Sequence, residues 1–434
     1  MTVVDQVAVD PLAGTAGRAR TAVRLYGAQA VVRFLRLTGD PVAHLVSAGP
    51  GDDAYAIQER IRARGPVVRS RLGVHAVTSR ELCEHVLRHP DFGVRDDRGA
   101  TAGADGITEV AAAPLAGSLL DLDPPDHTRI RRIAAPAFRP RAMREYADRV
   151  EAIVHRLLDP LEGRGRFDLM TDFASPFPVT VISGLLGVAD VDTARFARMG
   201  TVVGQSLDGV SSLRHADDLR AASAELAELF VGLAQDRRAA PSEDVVGLLA
   251  RAETEGRLSR AELISSCGLL LLAGFETTVN LIGNGVAALM ADRSLWERLV
   301  ADPGLAPRVV EETLRQDPPV QLTARIAQAG VELGGRRLPA GSTVLPLLAA
   351  ANRDPAVFRD PARFDLDREG EPEHLAFSSG IHYCLGAPLA RMEGEIAFRA
   401  LATRFPDLRP AGRPRRRRGV TLRGFAGYPV TTRP

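Results

Sequence analysis

The chain has 434 residues, of which 45% are hydrophobic and 25% are charged, so it can bury a large core and does not have the composition of a disordered protein. Its 55 basic residues, all of them arginine, nearly balance 54 acidic ones, which argues against nucleic-acid binding through overall charge. At roughly 150 residues per domain, length alone would predict about three domains.

The three cysteines, Cys83, Cys267 and Cys384, are odd in number and far apart in the sequence, so no disulfide framework is predicted. The first residues, MTVVDQVAVDPLAG, contain acidic side chains and no apolar run of signal-peptide length. The longest apolar stretch, around CGLLLLAGF, is shorter than the roughly 18–20 residues that span a bilayer. We therefore expect a cytoplasmic protein without a transmembrane segment.

The N-terminal region combines a polar start with one helical pattern. Residues 1–20 are small and polar, and we expect them to be flexible. From 20 to 37, apolar residues recur every three or four positions between arginines, which predicts an amphipathic helix. Such a helix can lie on a membrane or pack on the protein body, and packing is the commoner arrangement. A strand-like segment, GPVVRSRLGVHAVT, and a helix over 79–88 follow, before a Gly- and Ala-rich loop over 94–118.

After residue 126 the chain is predominantly helical. The periodicity predicts helices over 127–160, 175–202, 215–237, 242–253, 259–292, 294–300 and 305–316. Strand signals return in GVELGGRRLPAGSTVLPLL and in GVTLRGFAGYPVT. The basic run PRRRR, which ends at Arg418, is predicted to be a solvated turn. The pattern is that of a mainly α protein with small β-sheets.

The stretch FSSGIHYCLG, residues 377–386, places Cys384 between a glycine-containing loop and a helix-like segment. Gly380 and Gly386 would let the backbone approach a flat ligand, and the amides that begin the helix would stabilise a thiolate. His382 is close enough in sequence for a thiol nucleophile or a zinc site, although zinc would need about four ligands. A buried structural cysteine remains the alternative.

Two further clusters lie in predicted helices. In LLLLAGFETTVNL, residues 269–281, an acid and two threonines occur in an apolar helix, where they are costly unless they form hydrogen bonds. Gly274 could mark a local widening of that helix beside a small ligand. In EETLRQDPP, Glu312 and Arg315 are spaced i and i+3, a pairing that is common on helices and contributes only about 0.2–0.5 kcal/mol when exposed.

The last cluster is basic. In DPPDHTRIRR, His127 and Arg131 are spaced i and i+4, and Arg325 follows much later in TARIA. Guanidinium groups make forked hydrogen bonds to carboxylates, so two arginines and a histidine suit a ligand with two carboxylates. A solvated helix face is the alternative for His127 and Arg131.

The pattern F-x-x-G-x-H-x-C-x-G, formed by Phe377, Gly380, His382, Cys384 and Gly386, resembles the haem-binding signature of cytochrome P-450. The segment with Ala273, Gly274, Glu276, Thr277 and Thr278 resembles the A-G-x-(D/E)-T-T oxygen-binding segment of the same family. The clusters occur in the family's order, and from about residue 40 onwards the chain resembles a soluble bacterial member. Ser378 and Ser379 depart from the family, in which at least one glycine often follows the phenylalanine.

The resemblance implies one domain over 21–434, of triangular-prism shape, with haem b between a long central helix and the Cys-loop helix. Cys384 would be the axial ligand of the haem iron, and Glu276 and Thr277 would deliver protons to the oxygen. The other cofactor-binding residues would be Ala273, Gly274, Phe377, Gly380 and Gly386, with the propionates held by His127, Arg131, Arg325 and His382. Glu312 and Arg315 would form a structural pair that Arg363 completes.

The same resemblance implies a monomeric monooxygenase that uses O2 and takes electrons from a ferredoxin and its reductase. The expected substrate is a hydrophobic intermediate such as a polyketide, macrolide or terpenoid, which would be hydroxylated or epoxidised. Its pocket would involve residues 94–120, 190–216, 269–276, 320–323 and 424–428. Oxidative coupling, peroxide-driven chemistry and a noncatalytic haem-binding helper role are the alternatives.

Overall fold

The structure is a computed structural model and describes residues 14–49, 51–97, 99, 117–188 and 192–433. Helices dominate these ranges, which confirms a mainly α protein with small sheets. The α-helices are α1 (Gly14–Leu37), α2 (Pro41–Val46), α3 (Ala54–Arg62), α4 (Arg80–Arg88), α5 (Asp126–Ala134), α6 (Pro140–Leu158), α7 (Pro176–Leu185), α8 (Thr193–Gln205), α9 (Leu213–Ala239), α10 (Val245–Thr254), α11 (Arg260–Ala291), α12 (Arg293–Ala301), α13 (Ala306–Gln316), α14 (Leu348–Ala351) and α15 (Ala387–Arg404).

Two segments that periodicity predicted as single helices are each divided. Between α5 and α6 the chain forms a 3-10 turn, Ala135–Phe138, because Pro136 and Pro140 have no N–H to continue an α-helix. The segment predicted over 175–202 breaks after α7, where Gly187 adopts a φ of 74° and allows the helix to end. Proline and glycine residues therefore end these helices although the hydrophobic pattern continues past them.

At the N-terminus, α1 begins at Gly14, so residues 14–20 are helical although the sequence predicted a flexible segment over 1–20. Residues 1–13 lie outside the described part of the chain. The same is true of most of the loop predicted over 94–118. At the start of that loop, Arg95 forms an ion pair with Asp121 at 2.6 Å.

The strands are β1 (Val67–Arg69), β2 (His75–Val77), β3 (Phe92–Gly93), β4 (Arg166–Asp168), β5 (Arg325–Ala327), β6 (Val331–Leu333), β7 (Arg336–Leu338), β8 (Thr343–Pro346), β9 (Arg409–Pro410), β10 (Arg415–Arg416), β11 (Phe425–Gly427) and β12 (Pro429–Thr431). The largest sheet has the order β1-β2-β8-β5-β3, and only the β2–β8 pair is parallel. A second sheet, β4-β12-β9, joins the middle of the chain to its end. β6 pairs with β7 and β10 with β11.

The central helix, α11, organises the core. It starts with a capping box in which Ser259 and Glu262 satisfy each other's backbone N–H groups. It packs against α7, α8, α9, α13 and α15. Among the described residues it is also the one helix long and apolar enough to span a membrane, but 72% of its most apolar window is buried inside the protein. Its hydrophobicity is therefore that of a core helix.

Candidate active site

The loop that precedes α15 holds Cys384. A short 3-10 turn, Gly380–His382, leads into Cys384, whose N–H donates to the carbonyl of Phe377 at 2.9 Å. Burial raises the pKa of the Cys384 thiol, while the Gly386 amide and the charge of Arg131 favour the thiolate and oppose that rise. The thiol is thus half-buried beside amide and guanidinium groups that suit a thiolate ligand.

Four basic residues predicted from distant parts of the sequence come together beside this loop. The rings of His127, from α5, and His382 lie 4.3 Å apart between centroids. Arg131, one turn after His127, donates to the carbonyl of Tyr383 at 2.6 Å. Arg325, on β5, is close enough to both histidines to lower their pKa by charge repulsion. The loop, α5 and β5 therefore form one basic cluster around Cys384.

The polar atoms of this cluster test whether haem fits. Among the described residues, both ring nitrogens of His127 and Nε2 of His382 are buried without a hydrogen-bond partner. Burial lowers the pKa of His127, and burial together with Arg325 lowers that of His382 to about 3, so both rings are neutral. Buried polar groups without partners are rare and indicate a missing ligand or ordered water.

The two arginines of the cluster, Arg325 and Arg131, also fit haem. Arg325 is only 4% exposed and, among the described residues, donates to neutral oxygens, the Thr323 hydroxyl at 3.2 Å and the Ala324 carbonyl at 2.8 Å. Burial lowers the pKa of Arg325 to about 10. Within the described part of the chain, neither Arg325 nor Arg131 forms an ion pair. Asp123 attracts Arg325 only from beyond ion-pair distance, so neither guanidinium has a carboxylate in direct contact, and the pair fits a ligand with two carboxylates, as haem has.

The threonines of α11 face different surroundings. Thr277 is half-buried beside the exposed Ala273, whose carbonyl accepts its hydroxyl hydrogen at 2.8 Å. Thr278 is 1% exposed, its hydroxyl donates to the Gly274 carbonyl at 3.4 Å, and it lies near enough to Glu393 of α15 to oppose a rise in the pKa of that carboxyl. Burial raises the pKa of Glu393 well above its usual range. Of the two hydroxyl groups, that of Thr277 is the one accessible to a ligand.

Gly274 has a packing role that its sequence pattern did not predict. A Cβ at this position would lie 2.6 Å from Cγ1 of Ile182 in α7, so only glycine allows the two helices to pack this closely. Gly274 lies within α11, and the local widening that it could mark stays a prediction. Its absent side chain is explained by the α7 contact.

Glu276 is 3% exposed and forms an ion pair with Arg417. Arg417 belongs to the run PRRRR, which was predicted to be a solvated turn. That prediction is wrong for two of its members, because Arg416 also lies over the Phe425 ring at 3.8 Å and contacts Asp317 at 3.3 Å. Acidic partners, and for Arg416 an aromatic ring, stabilise Arg416 and Arg417 in these inward positions. The second carboxylate oxygen of Glu276 has no partner among the described residues.

Glycine requirements in the Cys loop differ from position to position. Gly380 has a φ of 69°, and a Cβ there would lie 2.6 Å from the Leu87 carbonyl oxygen. A Cβ at Gly386 would meet nothing within 4 Å, so no close protein contact explains that glycine. Ser378 adopts a φ of 63°, a conformation that favours glycine. Phe377 is buried, with the Arg391 guanidinium 4.7 Å above its ring.

Comparison with known proteins identifies the family. The profile described as Cytochrome P450 matches residues 304–414. The chain is 41% identical over 365 residues to cytochrome P450 monooxygenase PikC of Streptomyces venezuelae, covering 82% of this chain and 85% of that protein. It is 40% identical over 407 residues to nocardicin C N-oxygenase of Nocardia uniformis subsp. tsuyamanensis, covering 91% and 97%. This chain belongs to the cytochrome P450 family.

Solved structures of cytochrome P450 proteins also resemble this chain. The ligand-free cytochrome P450 CYP164A2 of Mycobacterium smegmatis superposes with a TM-score of 0.81 at 38% identity, covering 90% of this chain and 99% of that one. The tirandamycin C-bound P450 monooxygenase TamI gives a TM-score of 0.78 at 34% identity, covering 88% and 98%. The protein is thus a P450 monooxygenase with the P450 fold.

The structural pair of this P450 is present, with one correction. Arg315 makes two 2.7 Å hydrogen bonds to Glu312, and both residues are buried. The guanidinium that also reaches Glu312, at 3.3 Å, belongs to Arg368 and not to Arg363 as the sequence predicted. Arg363 contributes its carbonyl, which accepts from Arg315 at 2.8 Å. The loop thus contributes two groups to the Glu312–Arg315 pair, the carbonyl of Arg363 and the guanidinium of Arg368.

Sequence reasoning missed three side chains of this P450 that depend on tertiary packing: Arg368, Arg417 and Glu393. Arg368 lies in FDLDR, two residues beyond the segment DPARFDL that contains Arg363. Arg417 was placed in a solvated run because four adjacent arginines resemble a surface turn. Glu393 follows Cys384 by nine residues in a helix-like segment, and only the contact between α11 and α15 shows that it is buried.

Proposed function

We propose that this P450 binds haem b through Cys384 and inserts one oxygen atom of O2 into a hydrophobic small molecule. The basic cluster beside Cys384 carries the proposal. It holds unpartnered imidazole nitrogens on His127 and His382 and two arginines that form no direct ion pair with a described residue, an environment that suits two haem propionates. Cys384 would supply the thiolate that binds the haem iron.

When bound, thiolate-ligated haem supplies the activation of O2 that allows attack on an unactivated C–H bond. The task of the protein is to hold the substrate and deliver protons. Ala273 and Thr277 form the accessible face of α11, and the Thr277 hydroxyl would donate to the oxygen or to a water beside it. Its own hydrogen bond to the Ala273 carbonyl keeps the hydroxyl on that face.

Glu276 would replenish the proton of Thr277. One of its oxygens is held by Arg417 and the other has no partner among the described residues, so the carboxylate is anchored and still able to accept a proton. Arg417 in turn donates to the Phe425 carbonyl at 3.2 Å, which links the acid to the β10–β11 hairpin. Arg417 would thus be a positioning residue for Glu276.

The first test is the absorption spectrum of the purified, reduced protein with carbon monoxide. We expect a strongly red-shifted Soret band, and Cys384→Ser to lose that shift. Cys83→Ser is the matched control, because Cys83 is a buried thiol that already donates to the Val77 carbonyl at 3.4 Å. A Soret band without the shift in the wild-type protein, or a shift that survives Cys384→Ser, would refute the thiolate assignment.

For the substrate, we propose a hydrophobic intermediate of secondary metabolism such as a polyketide, macrolide or terpenoid. Support comes from the relatives, among them the tirandamycin C-bound TamI and nocardicin C N-oxygenase. Candidate compounds that shift the haem spin state would then be tested for products heavier by one oxygen atom.

Oxidative bond formation is the second candidate reaction. The structure of CxnD, a P450 for C–S bond formation in chuangxinmycin biosynthesis, superposes with a TM-score of 0.81 at 31% identity, covering 88% of this chain and 95% of that one. Mass spectrometry separates the two reactions, because hydroxylation and epoxidation add an oxygen atom, whereas oxidative coupling removes two hydrogen atoms.

We propose a ferredoxin and its reductase as the electron donors, with docking near Cys384. Arg132 is exposed on α5, beside the Arg131 that contacts the Cys loop, and would attract an acidic partner. Arg132→Glu is expected to slow reduction by ferredoxin at low salt and to leave dithionite reduction unchanged. If ferredoxin reduced Arg132→Glu as fast as the wild type, this face would be excluded as the docking site of the ferredoxin.

A further inference from the structure

The N-terminal helix α1 has two apolar faces, and only one of them packs on the protein. The inner face includes Leu25 and Leu35, which are 2% and 8% exposed. Ion pairs fix this face in place, from Arg18 to Asp217 at 2.9 Å and from Arg36 to Asp52 at 3.0 Å. The helix lies against α2 and α9. Its orientation is therefore set by the body of the protein.

The opposite face exposes large apolar side chains. Eight large hydrophobic residues are exposed in the described part of the chain, and five of them are on α1. The outward stripe is formed by Val23, Tyr26, Phe34 and Leu37, which are 74%, 51%, 62% and 85% exposed. At roughly 100° per residue these four lie within an arc of about 80°. Large apolar patches on a protein surface commonly mark an interaction site.

Arginines flank this outward stripe on both sides. By the same helical geometry, Arg33 lies along one edge, and Arg20 and Arg24 along the other. All three are exposed, and none forms an ion pair with a described residue. The helix contains five arginines and no acidic residue. The outward face of α1 is thus an apolar stripe between cationic borders.

This combination favours a flat anionic surface over a second copy of the chain. Two copies that met through their stripes would bring Arg20, Arg24 and Arg33 of one helix against the same three arginines of the other, with no acidic residue on either helix to compensate. A helix of 24 residues extends about 36 Å, which is long enough to lie along a flat surface. Phospholipid headgroups accept the arginines while the acyl boundary accepts the apolar stripe.

We propose that α1 is an in-plane anchor that docks this P450 on an anionic lipid bilayer, with Val23, Tyr26, Phe34 and Leu37 entering the headgroup boundary. Arg20, Arg24 and Arg33 would contact lipid phosphates. Arginine and aromatic side chains on opposite parts of an amphipathic helix are the usual composition of such surface-bound helices. The buried α11 has no part in this contact.

Vesicle co-sedimentation of the full holoprotein tests the proposal. We expect binding to vesicles of equal parts phosphatidylcholine and phosphatidylglycerol, and weaker binding to phosphatidylcholine alone. The triple variant Val23→Ser, Phe34→Ser, Leu37→Ser changes only exposed side chains and is expected to bind on the order of 100-fold more weakly. Replacing Arg20, Arg24 and Arg33 by glutamine is expected to weaken binding by a similar factor and to reduce its salt dependence.

A charge-matched control replaces three exposed arginines elsewhere, Arg336, Arg409 and Arg413, by glutamine. It is expected to bind like the wild type. Phe34→Trp provides a second measurement, because its emission should shift to the blue with anionic vesicles. The single native tryptophan, Trp296, is fully buried and donates to the Pro406 carbonyl, so it gives a constant background.

Three results would overturn the proposal. The first is equal vesicle binding by the wild type and the apolar triple variant. The second is a dimer, seen by sedimentation without lipid, that the same variant dissociates, since it would assign the stripe to a second copy. The third is binding to soluble polyglutamate without binding to vesicles, which would assign the face to an acidic protein. The carbon monoxide spectrum of each variant shows separately whether the haem site is intact.

Discussion

The turn before Cys384 contains a serine in a backbone conformation that costs free energy. Ser378 has a φ of 63°, and its buried hydroxyl has no partner among the described residues. A left-handed conformation costs about 1–2 kcal/mol, and glycine would remove that cost while losing about 0.5–1 kcal/mol through its freedom in the unfolded chain. With the unpaired hydroxyl also removed, we expect Ser378→Gly to raise the free energy of unfolding by about 1 kcal/mol, measured by urea denaturation.

The neighbouring serine is the control for this prediction. Ser379 has a φ of −151°, which any residue adopts, so glycine there brings only its entropic cost. Ser379→Gly is expected to lower the free energy of unfolding by about 0.5–1 kcal/mol. Equal effects of the two substitutions would show that backbone strain at Ser378 is not significant.

The hydroxyl of Thr277 is predicted to control how efficiently electrons are used. In Thr277→Ala the accessible face of α11 loses its proton donor, and we expect product formed per electron consumed to fall by up to about 100-fold, the lower end of what a positioned general acid contributes. Thr277→Ser keeps the hydroxyl and is expected to restore most of the coupling. Thr278→Ala should leave coupling near the wild-type value, because Thr278 faces Glu393 in α15. If Thr278→Ala lowered the coupling and Thr277→Ala did not, Thr278 rather than Thr277 would be the proton donor.

At the level of elements, the buried carboxylate of α13 holds the loop that leads to the Cys segment. Glu312 is 4% exposed and accepts hydrogen bonds from Arg315, Arg368 and the backbone N–H of Asp365. Removing one partner of a buried ion pair costs about 3–5 kcal/mol, because the remaining charge is left uncompensated. Glu312→Ala is expected to lower the free energy of unfolding by this amount. Glu369→Ala is the control, since its side chain is 75% exposed and should change stability by less than about 0.5 kcal/mol.

A second carboxylate of α13, Glu311, joins this helix to α15 in a pH-dependent way. Burial alone would raise its pKa, but His374 and Arg391 outweigh that effect and lower the pKa from 4.5 to about 2. Arg391 contacts it at 2.6 Å. Because the folded-state pKa is the lower one, the stabilisation is complete above about pH 4.5 and is lost as pH falls towards 2.

Glu311→Gln should therefore reduce stability at neutral pH, and its difference from the wild type should shrink progressively below about pH 4.5. Thermal unfolding of both proteins across this range measures the effect, which is modest because the Glu311 side chain is 44% exposed and screened by water. A difference that stays constant down to pH 3 would contradict the assigned pKa shift.

On the scale of the whole molecule, sequence reasoning worked where chemistry is local and failed where it depends on packing. The spacing of the Cys384 segment and the order of the clusters led to the correct family, because ligand loops keep fixed spacing. The helix boundaries of α9, α11 and α13 were close for the same reason, since capping residues and periodicity are read along the chain. The guanidinium of Arg368, the inward turn of Arg417 and the packing contact of Gly274 are decided by neighbours far away in sequence. No local pattern contains that information.

The sheet β4-β12-β9 has a consequence for the synthesis of this P450. Its central strand, β12, is the last element of the chain, and β4 pairs with it across more than 250 residues, as Val430 does with Phe167. Ribosomes add roughly 5–20 residues per second, so β4 emerges on the order of ten to fifty seconds before its partner. During that time β4 lacks its partner strand. This sheet is therefore completed late in synthesis, and the nascent protein depends on its helices to remain compact until β12 has emerged.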